Sequence, residues 1–137
     1  MDSGKIFRRV VSTLFVVSIM LFTSATHAEI RTYEGVGEYF VKDDESIDFA
    51  KNQAELIAER DALEQVKFYI KSTSKSVNSK LLEDEIIVIA AGILHVTNTK
   101  FDIEVADSLI VKSFMTAEID IDELEKLLEQ AIKERES

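Results

Sequence analysis

The sequence predicts an α+β fold: a small, mostly antiparallel sheet in β-α-α-β-β-α order, packed by one long alanine-ridged helix and two shorter helices. Three observations predict it. Residues 30–41 and two later runs, 94–105 and 109–119, alternate apolar with polar residues and carry β-formers. Residues 47–72 have no Gly or Pro and place Ala50, Ala54, Ala58 and Ala62 at every fourth position. The last segment spaces Leu124, Leu127, Leu128, Ala131 and Ile132 as one face of a helix.

The first strand, IRTYEGVGEYFV, has Gly35 and Gly37 on one face, with Tyr33 and Tyr39 beside them. Side chains there either fill a core under a helix or form a shallow aromatic surface. After the turn Lys42-Asp43-Asp44-Glu45, Asp44 or Ser46 can cap a helix whose first turn is favourably acidic. Its alanines form a ridge of the kind a helix presents to a neighbour. A ridge of methyl groups permits close backbone approach, which places it over the sheet at Gly35 and Gly37, with Ile47, Ile57 and Phe68 flanking it. The polar stretch 72–79 reads as a loop. Residues 81–91 are apolar behind three acids (Glu83, Asp84, Glu85), which favours a short helix stopped by Gly92, a buried strand at 86–89 being the alternative.

The runs 94–105 and 109–119 meet at Ala106-Asp107-Ser108 and form a hairpin. Phe101, Ile103 and Val105 share a face of its first strand. Leu109, Val111, Met115, Ala117 and Ile119 share one of its second, leaving Ile110 and Phe114 on the reverse side. Asp122 and Glu125 supply a capping box for the final helix.

Residues 1–28 predict the compartment. Lys5, Arg8 and Arg9 make a basic start, residues 10–22 are apolar, and Thr26-His27-Ala28 is a small-residue exit, so cleavage is expected between Ala28 and Glu29. This 13-residue stretch falls short of a membrane span, which takes about 20. The expected product is an exported protein of bacterial type, in the periplasm or outside the cell, with no stable membrane anchor. Residues 29–137 are expected to form one domain.

Removing residues 1–28 leaves 25 acids against 13 bases, a net charge of −12. Such a field repels phosphates, so neither nucleic acid nor an anionic lipid surface is an expected partner. The chain has no cysteine. That removes disulfides, zinc-thiolate sites and a cysteine nucleophile from consideration.

Gly35-Val36-Gly37, the alanine run with Ala58-Glu59-Arg60-Asp61-Ala62, and the junction Ala91-Gly92-Ile93 together give the chain a family likeness. Over residues 30–119 it resembles the envelope domain shared by the amino-terminal part of flagellar assembly protein T and the Lpp-twenty-type outer-membrane lipoproteins. The lipoproteins' lipidation cysteine is missing here. The resemblance implies a non-catalytic module of envelope assembly or surface interaction, and it carries over no catalytic residues.

Sites of chemistry are few. Gly35-Val36-Gly37 begins like a dinucleotide fingerprint, but Phe40 stands where its third glycine belongs. His95 is the only histidine after residue 28, too few for a multi-histidine metal site. Asp43-Asp44-Glu45 and Glu118, Asp120 and Asp122 are the acidic groups with any resemblance to cation ligands, yet neither has a calcium-loop spacing, and solvated charge or helix-start electrostatics explains both. Arg60 and Asp61 read as a surface ion pair.

No catalytic residue, cofactor site or metal site is therefore assigned. The expected function is an exported, non-catalytic interaction or assembly module, accessory to a surface apparatus. The alternatives are a small ligand- or cation-binding protein using the acidic clusters, and an enzyme. Because Ile110 and Phe114 lie off the helix-covered face, they are expected to join Leu124 and Leu128 of the final helix in a surface for self-association or a protein partner.

Overall fold

A computed structural model describes residues 27–137, so the segment expected to be an export signal lies outside the described residues except for His27 and Ala28. The elements are β1 (Ile30–Phe40), α1 (Ile47–Thr73), α2 (Lys75–Lys80), α3 (Glu83–Ala91), β2 (His95–Val105), β3 (Leu109–Asp120) and α4 (Ile121–Glu136). The α+β class and the antiparallel sheet are as the sequence predicts. The strand order is β1-β3-β2, which puts the last strand in the centre. β1 pairs with β3 along its whole length, from Ile30 opposite Asp120 to Phe40 opposite Ile110.

The first half of α1 crosses β1 and β3 on one face of the sheet. Ala50, Ala54, Ala58 and Ala62 are all fully buried there. The glycines explain how close the approach is. A Cβ on Gly35 would stand 2.0 Å from the Ala58 carbonyl oxygen, and one on Gly37 would stand 2.0 Å from that of Ala54 and 2.5 Å from the Ala58 nitrogen. No side chain fits in that space. The ridge therefore lies where the sequence places it.

The flanking residues do not behave uniformly. Ile57 touches the position a Gly37 Cβ would take, but Phe68 is 74% exposed. The stripe turns because the second half of α1 leaves the sheet and packs on helices: Leu63, Val66 and Ile70 join Val77, Leu81, Ile86, Ile87, Ile119, Ile121, Leu124, Leu128 and Ile132 in a second, larger core. Phe68 points away from both.

Two further expectations are corrected. The polar stretch 72–79 is not a loop: α1 runs to Thr73 and α2 follows at Lys75–Lys80. Val77 and Leu81, four positions apart, are both buried in the second core, and that burial overrides the weak helix propensity of the serines. The final helix starts earlier than Asp122 suggests, with Asp120 as N-cap, its carboxylate accepting from the Glu123 N–H. The cap thus lies two residues before the position that the Asp122 and Glu125 spacing predicts. Residues 86–89 are helical, not a strand. Ser46, of the two candidates, caps α1 by accepting from the Phe49 N–H at 3.1 Å.

Candidate functional site

Among the described residues, helices cover one face of the sheet and leave the other bare. Reading the register across β1, β3 and β2, the bare face carries Phe40–Ile110–Glu104, then Glu38–Lys112–Asp102, then Val36–Phe114–Lys100, then Glu34–Thr116–Asn98. Val36 and Phe114 are direct cross-strand neighbours and both nearly half exposed, and Phe40 opposite Ile110 is 58% exposed. Two apolar patches are thus separated by a charged row. In that row Lys112 sits between Glu38 at 3.4 Å and Glu104 at 2.8 Å. These two carboxylates, Glu104 first, raise the Lys112 ammonium above its ordinary pKa.

The expected four-residue surface does not assemble. Ile110 and Phe114 lie on the bare face, but Leu124 and Leu128 have no exposed area and sit in the helical core. The physical reason is the turn at Asp120–Ile121, where the chain passes directly from β3 into α4. That carries the helix away from the sheet to pack on α2 and α3. Its apolar stripe is satisfied within the chain, and the bare face gains nothing from it.

The two sheet edges differ. On β1 the outward Val36 N–H donates to the Asp61 carboxylate at 2.9 Å, and the outward Glu34 carbonyl accepts from the Gln65 amide at 2.6 Å. Both side chains come from α1, so that helix closes the middle of the β1 edge to pairing. Asp61 thus serves the strand, while its neighbour Arg60 reaches Glu64 at 3.1 Å and Asp84 at 3.9 Å. The ion pair expected between Arg60 and Asp61 is replaced by these contacts.

No such device guards β2. Among the described residues, the side-chain hydrogen bond from β2 to backbone is that of the Thr97 hydroxyl to the Thr116 carbonyl, which points inward to β3, and Glu55 of α1 meets only the Thr99 hydroxyl, at 3.5 Å. On the helix-side face of β2, Phe101 is 39% exposed, Ile103 44% and Val105 80%, because α1 lies over β1 and β3 and stops short. Alternation marks these residues as one apolar face, as the sequence indicates. It does not reveal that the helix leaves them uncovered. Lys51, reaching from α1 to 5.6 Å above the Phe101 ring, marks the limit of that cover.

The acidic groups are in structural use. The Glu45 carboxylate accepts from the Tyr39 hydroxyl at 2.9 Å and from the Lys42 N–H, and that hydrogen bond raises the Tyr39 pKa. Asp120 caps α4, and Asp122 accepts from the Glu29 N–H at 3.1 Å. Among the described residues no group of three or more His, Asp or Glu side chains could hold a metal ion. His95 lies exposed on β2 opposite Glu118. Tyr33 and Tyr39 flank the glycines half-buried beneath α1. They fill core, Tyr39 packing edge-on against Phe49 at 6.0 Å. Burial raises the Tyr33 pKa against the opposing pull of the neighbouring Arg31 guanidinium.

No helix of the described residues is long and apolar enough to cross a membrane. The chain matches no protein-family model and no curated protein sequence.

Proposed function

We propose that this protein is an exported, non-catalytic interaction module that acts in the bacterial envelope or outside the cell as an accessory to a surface assembly. The observation that supports the reading is the uncovered side of the sheet. Val36, Phe114 and Phe40 are exposed together on one face, and Phe101, Ile103 and Val105 are exposed along an unguarded edge strand. Exposed apolar patches of this kind mark sites where proteins meet. The signal-like residues 1–28 support a location outside the cytoplasm. The resemblance to the envelope domain of flagellar assembly protein T and the Lpp-twenty-type lipoproteins agrees in kind, and the Gly35–Gly37 contact with the alanine ridge gives its small residues a physical role.

The acidic clusters favour no competing reading, since Glu45, Asp120 and Asp122 all accept hydrogen bonds from the chain itself. Cell fractionation, intact-mass measurement and cross-linking in living cells test the proposal together. It expects a chain beginning at Glu29, recovered outside the cytoplasm and cross-linked into a species larger than itself. A chain that keeps Met1 and stays in the cytoplasm, or one that never enters a larger species, overturns it.

A further inference from the structure

We propose that two copies of this chain join through β2, edge to edge and antiparallel, about a two-fold axis at Phe101, extending the two three-stranded sheets into one of six strands. The inference rests on the interaction-module reading and names the partner as a second copy.

The asymmetry of the two edges comes first. The β1 edge is closed by Asp61 and Gln65, while β2 offers an 11-residue edge whose outward backbone groups take no side-chain hydrogen bond from another element among the described residues, Glu55 and Lys51 of α1 reaching only the Thr99 hydroxyl and the Phe101 ring on its helix-side face. An open edge of that length is a template for strand pairing.

Symmetry then restricts the register. Two antiparallel strands related by a two-fold axis normal to the sheet must be centred on a residue, which faces itself across the axis. A centre at Lys100 sets lysine against lysine, and one at Asp102 sets aspartate against aspartate. A centre at Ile103 puts Asp102 opposite the partner's Glu104. A centre at Thr99 puts Lys100 opposite only the partner's Asn98. The centre at Phe101 places Lys100 opposite the partner's Asp102, and does so twice. It also places Asn98 opposite the partner's Glu104, again twice, and sets no like charges face to face.

Within one copy, Lys100 and Asp102 take part in no ion pair among the described residues; the lysine opposite Asp102, Lys112, is held by Glu38 and Glu104. On the other face the same register sets Phe101 against the partner's Phe101 and Thr99 against the partner's Ile103, covering apolar surface that α1 leaves open. Aromatic and opposite-charge cross-strand pairs of this kind stabilise antiparallel sheets. The bulge between Val96 and Asn98 ends the regular pairing on one side, so the shared ladder runs from Asn98 to Glu104.

Sedimentation equilibrium of the purified exported chain tests this with charge exchange. The wild type is expected to dimerise in the micromolar range. Lys100→Asp alone and Asp102→Lys alone each set like charges across the axis and should weaken dimerisation at least tenfold, whereas the double variant restores opposite charges and should return to within about threefold of wild type. The chain has no cysteine, which permits a second measurement that does not depend on the double variant folding. Phe101→Cys should oxidise to a covalent dimer, and Val105→Cys, eight residues from its own copy along the paired strands, should not. A wild type that stays monomeric to several hundred micromolar, single exchanges without effect, or equal cross-linking at both positions overturns the inference. A monomeric chain that is still cross-linked into larger species in cells removes the second copy as partner and leaves the interaction-module reading standing.

Discussion

At Gly35 and Gly37 the helix–sheet distance is set by what the residues lack. The Ala58 and Ala54 carbonyl oxygens occupy the space where a Cβ would be, and these are backbone atoms of a helix held by its own hydrogen bonds, so nothing can swing aside. Gly37→Ala should therefore destabilise the protein by about 3 kcal/mol or more, the upper range for forced overpacking. Gly92→Ala serves as a control: its nearest contact is 3.3 Å from the Ile89 oxygen, and the helical φ of −67° suits alanine. Urea unfolding of both variants checks the contrast. Ser113 gives the opposite sign. It faces Gly37 and Phe101 across the ladder, is fully buried, and its hydroxyl has no hydrogen-bond partner. Ser113→Ala removes an unsatisfied buried polar group and should stabilise by about 1 kcal/mol in the same assay.

Among the elements, strand edges and helix starts show how much the sequence reveals. The alanine spacing and the two glycines identify α1, its buried face and its landing place on β1, because that contact depends on residue size read directly from the chain. The hairpin of β2 and β3 is equally legible from alternation around Ala106-Asp107-Ser108. What the sequence conceals is what covers each apolar face. β2 alternates like a buried strand, yet Val105 is 80% exposed, because the axis of α1 follows β1 and β3. Leu124 and Leu128 have the spacing of any amphipathic stripe, and only the direction of the chain after Asp120 determines that α2 and α3 receive them. The guarding of β1 is concealed in the same way, since Asp61 and Val36 are 25 residues apart. It gives a clear expectation. Asp61→Ala should leave the fold intact but raise the exchange rate of the Val36 amide hydrogen about tenfold or more, because its acceptor is lost at a solvent-facing edge. An unchanged rate at Val36 would show that the Asp61 carboxylate does not hold that amide.

For the whole molecule, an acidic chain without cysteine must hold its fold without disulfides. Among the ion pairs that link its helices, one group ties α1 to α3. Lys67 joins Glu64 on α1 to Glu83 at the start of α3, and Lys71 also reaches Glu83. Hydrogen bonds from these lysines, Lys67 for Glu64 and Lys71 then Lys67 for Glu83, hold both carboxyls below their ordinary value of 4.5. A carboxyl lowered by folding contributes stability above its unfolded pKa and loses it as the pH falls through the lower, folded one. Acid should therefore weaken the protein progressively below about pH 4.5. Lys67→Met should make that decline shallower, as measured by thermal unfolding across the acid range.

The claim that the uncovered side of the sheet is where this protein works is tested most directly by placing a photo-activatable cross-linking residue, one position at a time, in living cells. Phe114 on the bare face, Phe101 on the β2 edge and Phe68 on the outer side of α1 are all exposed aromatic positions, so substitution there disturbs the core little. The account predicts cross-linked species from positions 114 and 101 and none from position 68. Cross-linking from position 68 alone, or from all three alike, would contradict it.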